Sequence, residues 1–272
     1  MLWLPPAPAI IIPKTPDIVR PGDPRFGFAA SLPGLAGLSG KGIDTITSDP
    51  NFSNRKLLMG YNDVNGSVGA PGMTDESGAA HGTATVVGSP AISTAQSVFG
   101  GSSLLLNGGG HIEFADSADW DLSNQPFTIE FRYRPTTVTS TIQFIIDQWV
   151  GPQNGWALYQ NNAGLSFHGS TTGSNDVAVI DVTSGLAVNT QAAICVDFDG
   201  TKYRMYINGA MVGSSTSLIT FFNSSNPLYI GVSPGSGFFV NAYLDELRFT
   251  KGLASYASDS GYTVATSPFP RS

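Results

Sequence analysis

The densest grouping of side chains able to grip a ligand lies between Gln148 and Asn161. Trp149, Trp156 and Tyr159 stand there among Gln148, Asn154 and Asn161. Aromatic faces with amides nearby suit a sugar, whose C–H face stacks on a ring while its hydroxyls bond the amides. The same aromatics would serve equally as core, and Trp156 and Tyr159, three apart, fall on opposite faces of a strand. Covalent chemistry has less to work with. A Ser or Cys nucleophile needs a His base and an orienting carboxylate. His81, His111 and His168 are scattered, and no Gly-x-Ser-x-Gly elbow occurs. Cys195, the only cysteine, sits between Ile194 and Val196, the setting of a small buried filler. A lone cysteine also excludes an intrachain disulfide and a thiolate metal cluster. No catalytic residue is assigned.

Strands must position these groups. In Phe127-Thr128-Ile129-Glu130-Phe131-Arg132-Tyr133-Arg134 the odd positions are apolar and the even ones polar, the alternation of a half-buried strand. Further runs are 142–146, 156–159, 165–167, 177–182, 194–198, 203–207 and 228–230. They recur every ten to fifteen residues or so, between Gly, Asn, Asp and Ser turns, as an antiparallel sandwich requires. Asp199-Gly200 and Asn208-Gly209 each favour the paired positive φ of a type I′ hairpin. No segment shows a helical period. The region from Leu57 onward reads as all-β, with about a dozen strands.

Composition narrows the function classes. The 272 residues are 41% hydrophobic and only 12% charged, with a net charge of −7. So few charges leave the surface to Ser, Thr, Asn and Gly, which suits contact with proteins or sugars. Lys14, Arg20, Arg25 and Lys41 balance Asp17, Asp23, Asp44 and Asp49, so residues 51–272 carry the whole −7. No basic cluster offers a nucleic-acid footprint.

Nine of the 18 prolines fall within residues 1–52. Proline fixes φ and removes a backbone donor, so this stretch reads as extended or polyproline-II chain. Its Leu2, Trp3, Leu4, Ile10, Ile11, Ile12, Phe26 and Phe28 are too apolar for a solvated linker. The expectation is an anchoring arm, 1–52, that orders by burying these side chains on a partner; 53–272 then form one domain. A floppy terminus is the competing reading. The stretch 34–42, rich in Gly, reads as a hinge. Met1–Pro13 lacks a positive n-region and is broken by four prolines, so neither a signal peptide nor a membrane span is expected.

The ordered phrases 57–63 (Leu-Leu-Met-Gly-Tyr-Asn-Asp), 74–78 (Thr-Asp-Glu-Ser-Gly), 100–104 (Gly-Gly-Ser-Ser-Leu), 243–249 (Tyr-Leu-Asp-Glu-Leu-Arg-Phe) and 252–256 (Gly-Leu-Ala-Ser-Tyr), closing at Pro268-Phe269-Pro270, resemble the laminin-G-like domains of the concanavalin-A-like lectin/glucanase superfamily. The closing phrase is most similar to such domains in tailed-phage structural proteins. A Trp-His-His run common in the family is replaced here by Gln191, Ala192 and Ala193.

The resemblance implies an antiparallel jelly-roll β-sandwich carrying the proline-rich N-terminal arm. It implies a non-enzymatic virion component, a capsid decoration or tail protein on the particle surface. The arm's partner would be the major capsid or tail protein. A homo-oligomer is expected, a trimer suiting a capsid threefold or a fibre. The alternative is an adhesin or receptor-binding module for host glycans. Family glucanases place Glu, Asp and Glu at alternating positions of one strand. That spacing is absent, and Glu113 with Asp116 and Asp119 with Asp121 read as turns. No cofactor is required. Asp63, Asp75 and Asp245 match family positions where a carboxylate is expected and would offer hard oxygens to Ca²⁺. The competing reading has Asp75 capping a turn and Asp245 pairing with Arg248 or satisfying buried backbone.

Overall fold

A computed structural model of the chain describes residues 48–123 and 125–272. The calls on Leu2, Trp3, Leu4, Ile10, Ile11, Ile12, Phe26 and Phe28 lie outside the described residues. The described body is a two-layer antiparallel β-sandwich of fifteen strands. They are β1 (Arg55–Met59), β2 (Thr85–Gly88), β3 (Ala91–Ser93), β4 (Ser103–Asn107), β5 (Gly110–Phe114), β6 (Phe127–Pro135), β7 (Gln143–Asp147) and β8 (Trp156–Asn161). The chain continues through β9 (Gly164–Gly169), β10 (Val177–Val182), β11 (Ala192–Phe198), β12 (Tyr203–Ile207), β13 (Ala210–Ser215), β14 (Leu228–Ile230) and β15 (Asn241–Lys251). One sheet runs β13-β12-β11-β6-β15-β4-β3, with β1 also on β15; the other runs β10-β9-β8-β7-β14-β5-β2. Among the described residues no helix is long and apolar enough to cross a membrane.

Alternation places the core. Phe127, Ile129, Phe131 and Tyr133 of β6 face inward with Ile194, Val196 and Phe198 of β11, meeting Trp156, Leu158, Leu165 and Phe167 from the other sheet. Trp120 and Trp156 are fully buried, and their indole N–H groups donate to the carbonyls of Ala115 and Trp120. An aromatic body with a satisfied polar tip is the form in which tryptophan packs inside.

The Asn208-Gly209 expectation holds: φ is +53° and +79°, and the pair joins β12 to β13 directly. Asp199-Gly200 does not form a two-residue turn. The Asp199 carboxylate accepts from the backbone N–H of Thr201 and Lys202, stretching the connection to four residues. The side chain mimics backbone and competes with the tighter turn. Glu113, read as a turn residue, lies within β5.

The larger sheet departs from the half-buried expectation on the outward face of β6. Its outward Thr128, Glu130 and Arg132 are buried, because residues 252–272 cross over them. Tyr256 donates to Glu130 Oε2 at 2.6 Å, Tyr262 stacks on Tyr256 with centroids 3.7 Å apart, and Arg132 donates to the Ala265 carbonyl. Arg248 donates twice to Glu130 Oε1, at 2.9 and 2.7 Å, with the Phe269 ring 3.8 Å beneath its guanidinium. A bulge in β15 between Asp245 and Arg248 puts Glu246 at φ +48°. Its carboxylate accepts from the Phe269 N–H and from Arg271, so the tail holds the residue in a conformation it would otherwise resist. Residues 252–272 seal this face.

Candidate functional site

The outer side of the seven-stranded sheet gathers polar and aromatic groups the core leaves out, and most of them are buried. On β8 Ala157 and Tyr159 point outward while Trp156 and Leu158 point in. Tyr159 joins Phe144 and Ala157 in a small external cluster, with Ile142 and Trp149 packed against it. The sequence grouping therefore divides. Trp149 and Tyr159 come together on the outer side of this sheet; Trp156 does not join them, being core between Phe167 and Phe249.

Beside Tyr159 lies His168, one register step along the β8–β9 hairpin, where Tyr159 pairs with Ser166. The His168 Nε2 is 2.9 Å from the Tyr159 hydroxyl and 3.0 Å from Asp181 Oδ1, and its Nδ1 is 2.7 Å from Asp176 Oδ1. Burial pushes the Tyr159 phenol up to about 12, with the Asp181 and Asp176 charges adding to the effect. A phenol held that high is a hydrogen-bonding group and not a nucleophile. Burial works against the Asp181 carboxylate, yet hydrogen bonds from Ser166 and His168 hold it below the usual range. These groups wall a cleft of about 350 Å³ shared with Asn161, Asn162 and Thr183. Of the grouped amides, Asn161 therefore reaches the cleft. Gln148 is buried and donates to the Asn226 carbonyl at 2.8 Å, which fixes the 222–226 loop.

The outer side of the sheet continues toward β5. Asp147, fully buried, accepts from the Trp149 N–H through Oδ1 while Oδ2 has no hydrogen-bond partner. Burial holds its carboxyl well above the ordinary range, opposed by the Trp149 N–H. Beyond it Tyr229 meets His111 edge-on at 5.7 Å, and His111 Nε2 lies 3.2 Å from Glu113. His168, Asp176, Asp181, Phe144 and Phe238 were not singled out by sequence reasoning.

The three carboxylates assigned to Ca²⁺ are not brought together. Asp75 accepts from the N–H of Leu58, Ser77 and His81 and from the Ser77 hydroxyl. Asp63 accepts from Val64 and Gly72. Asp245 accepts from the N–H of Val98 and Phe99, and Arg248 pairs with Glu130 instead. Each carboxylate accepts from loop backbone N–H groups, as the capping and backbone-satisfying alternative has it, although Asp245 does so through Oδ2 alone and its buried Oδ1 has no hydrogen-bond partner. Among the described residues no group of three His, Cys, Asp or Glu side chains is placed to hold a metal ion. Cys195 is buried, and burial together with Glu130 and Asp197 pushes its thiol well up.

Fold and face together define a lectin-like β-sandwich. A laminin-G-type family model described as the concanavalin A-like lectin/glucanases superfamily matches residues 106–256, more than half of the sequence. The chain belongs to that superfamily. No curated protein matches it by sequence. Among solved structures it is similar to the binding domain of Paraclostridial Mosquitocidal Protein 1, with a TM-score of 0.57 and 14% identity over 74% of this chain and 49% of that one. It is also similar to the botulinum neurotoxin serotype G binding domain, with a TM-score of 0.54 and 18% identity over 75% and 49%. The chain thus spans about half the length of these toxin domains. Domain 4 of AbnA, a GH43 extracellular arabinanase from Geobacillus stearothermophilus solved with arabinotriose, is similar over 94% of its length and 74% of this chain, with a TM-score of 0.54 and 17% identity. At these identities the likeness is one of fold.

Proposed function

We propose that the protein is a non-enzymatic binding and display module that takes a carbohydrate in a cleft on its seven-stranded sheet. One observation carries this: Tyr159, His168, Asp181, Ser166, Asn161, Asn162 and Thr183 converge around a cleft of about 350 Å³. Aromatic faces next to amide, hydroxyl and carboxylate groups are the furniture of sugar recognition. The binding-domain character of the similar folds supports the reading.

The finer part concerns the setting. Residues 1–52 serve as the anchor, and the particle is a tailed-phage virion, with the module decorating the capsid or, in the second reading, the tail. The apolar, proline-rich leader and the closing phrase 243–256 support this. So does the attachment point, since the Asp49 N–H donates to the Ser272 carbonyl at 2.7 Å and its carboxylate pairs with Arg55 and Arg248 on the sealed side. Many copies on a symmetric shell would turn modest single-site affinity into avidity.

The test is a glycan array with the full-length chain and Tyr159→Ala, paired with co-sedimentation on phage particles. The co-sedimentation compares full-length chain with chain lacking residues 1–47, a cut that keeps the Asp49 contacts. Loss of glycan signal in Tyr159→Ala and loss of pelleting in the truncated chain are expected. Equal pelleting of both chains would remove the anchoring role from the leader, and an array signal untouched by Tyr159→Ala would move the sugar off this face.

A further inference from the structure

Resting on the carbohydrate reading, we propose that His168 is the positioning residue of the cleft: its imidazolium brackets Asp176 and Asp181, and the grip on the sugar loosens when the ring gives up a proton. Both ring nitrogens face carboxylates. Nδ1 lies 2.7 Å from Asp176 Oδ1, and Nε2 lies 3.0 Å from Asp181 Oδ1. An ionised carboxylate only accepts hydrogen bonds, and a neutral imidazole carries a single N–H. Two such contacts on one ring therefore require two N–H groups, which is the cationic form. With one proton gone, a nitrogen lone pair faces a carboxylate oxygen at 3.0 Å or less, and that carboxylate must move.

Three titratable side chains face the ring. β10 supplies Asp181, the connection from β9 to β10 supplies Asp176, and β8 supplies Tyr159, whose hydroxyl is 2.9 Å from Nε2. The residues paired with His168 on either side, Ala157 and Ala178, are neutral. Among the described residues the two aspartates have ion pairs with His168 alone. Nε2 is the nitrogen that yields its proton, because Nδ1 has the shorter carboxylate contact and Nε2 alone has a replacement donor in Tyr159. Against the imidazolium the Tyr159 oxygen accepts and its O–H stays available to the cleft; against the neutral ring that O–H is spent on Nε2. Tyr159, His168 and Asp181 all line the cleft. One proton thus sets the place of the Asp181 carboxylate and the direction in which Tyr159 donates. The Asp176 and Asp181 side chains are 62% and 53% exposed, so the effect is a factor of about five and not loss of binding.

Long-range proton–nitrogen NMR spectra of the full-length chain count the ring protons with no ligand present, His168→Gln assigning the signal. At about pH 5.5 both His168 nitrogens should carry a proton, and at about pH 8 Nε2 should have lost its own. Biolayer interferometry on immobilised arabinan, galactan, mannan and dextran at the same two pH values reads the consequence. On the polymer that binds, Kd should rise about fivefold from the lower pH to the higher, and His168→Gln should bring that ratio to about one. One ring proton at both pH values, or two at both, overturns the bracket whether or not a polymer binds. The expected ring titration with a Kd that is constant or falls toward the higher pH, or with His168→Gln keeping the fivefold change, overturns the positioning role and leaves the carbohydrate reading standing. Failure of all four polymers at both pH values overturns the carbohydrate reading and the positioning role with it.

Discussion

Replacing Arg248 with methionine tests whether the larger sheet is truly sealed. Arg248 and Glu130 are both more than nine-tenths buried, and the guanidinium reaches Glu130 Oε1 through two N–H groups. Asp49 lies 3.7 Å away and the Tyr256 hydroxyl donates to the other Glu130 oxygen. Methionine keeps an apolar stem against Phe269 and removes only the charge and its donors. Glu130 is then left as an unpaired carboxylate under the tail, a loss of about 3–5 kcal/mol where water is excluded. Were the tail loose and the face wet, the same pair would be screened and its loss would cost under about 1 kcal/mol. Urea unfolding at neutral pH followed by tryptophan fluorescence separates the two, because Trp120 and Trp156 are fully buried. Lys202→Ala gives the internal scale: its partner Asp259 is exposed, and the expected cost is under about 1 kcal/mol. The double variant Glu130→Gln, Arg248→Met should recover part of the loss, since the stranded charge is gone. An Arg248→Met cost no larger than that of Lys202→Ala would refute the sealed face.

Two further outcomes follow from the buried titratable groups. Burial pushes Asp245 from the ordinary 3.8 up to about 6, with Glu246 adding to the effect and the Val98 and Phe99 N–H groups opposing it. The native carboxyl then holds a proton between about pH 4 and 6 that the unfolded one releases. Its contribution therefore weakens stability as pH rises through that window and levels off above 6, by at most about 2–3 kcal/mol. Asp245→Asn should narrow the difference in urea midpoint between pH 4.5 and 7.5, and an unchanged difference would show that Asp245 titrates normally. Cys195 should resist thiol reagents in the native protein and react only at the rate of unfolding in urea; rapid native labelling would mean the tail opens readily.

The parts of this fold legible in the sequence are those set by neighbours along the chain. The inward run of β6, the Asn208-Gly209 hairpin and the opposite facing of Trp156 and Tyr159 all follow from a two-residue period. Length defeated the period elsewhere, since β2 and β3 are only four and three residues long. The His168 cluster was hidden for a different reason. Asp181 reaches His168 only because a register shift between Ala178 and Ile180 sets it opposite Ser166, and a bulge inverts the face that counting assigns. Glu130 and Arg132 looked like solvent-facing residues because residues 252–272 have no strand pattern to announce that they will cover them. Asp63, Asp75 and Asp245 sat at suggestive positions, but the two in loops meet their own loop's N–H groups first, and Asp245 of β15 meets those of the loop at Val98 and Phe99.

The sealing of the larger sheet rests on one physical requirement. An outer sheet face bearing Glu130, Arg132, Asp197, Arg204 and Arg248 could remain in water at little cost, yet here it is desolvated and each group is matched by the tail. Matching is what makes that burial tolerable, and it fixes residues 252–272 in a single path that ends at Ser272 beside Asp49. The two ends of the described body are thereby tied to the same side. Partners are missing elsewhere: Gln143 Nε2, Asp147 Oδ2 and His111 Nδ1 on the smaller sheet and Asp245 Oδ1 on the larger are buried without hydrogen bonds. The outward charges of β6, β11 and β12 differ from these in having their matches supplied by one crossing segment, so loosening residues 252–272 should expose several of them at once.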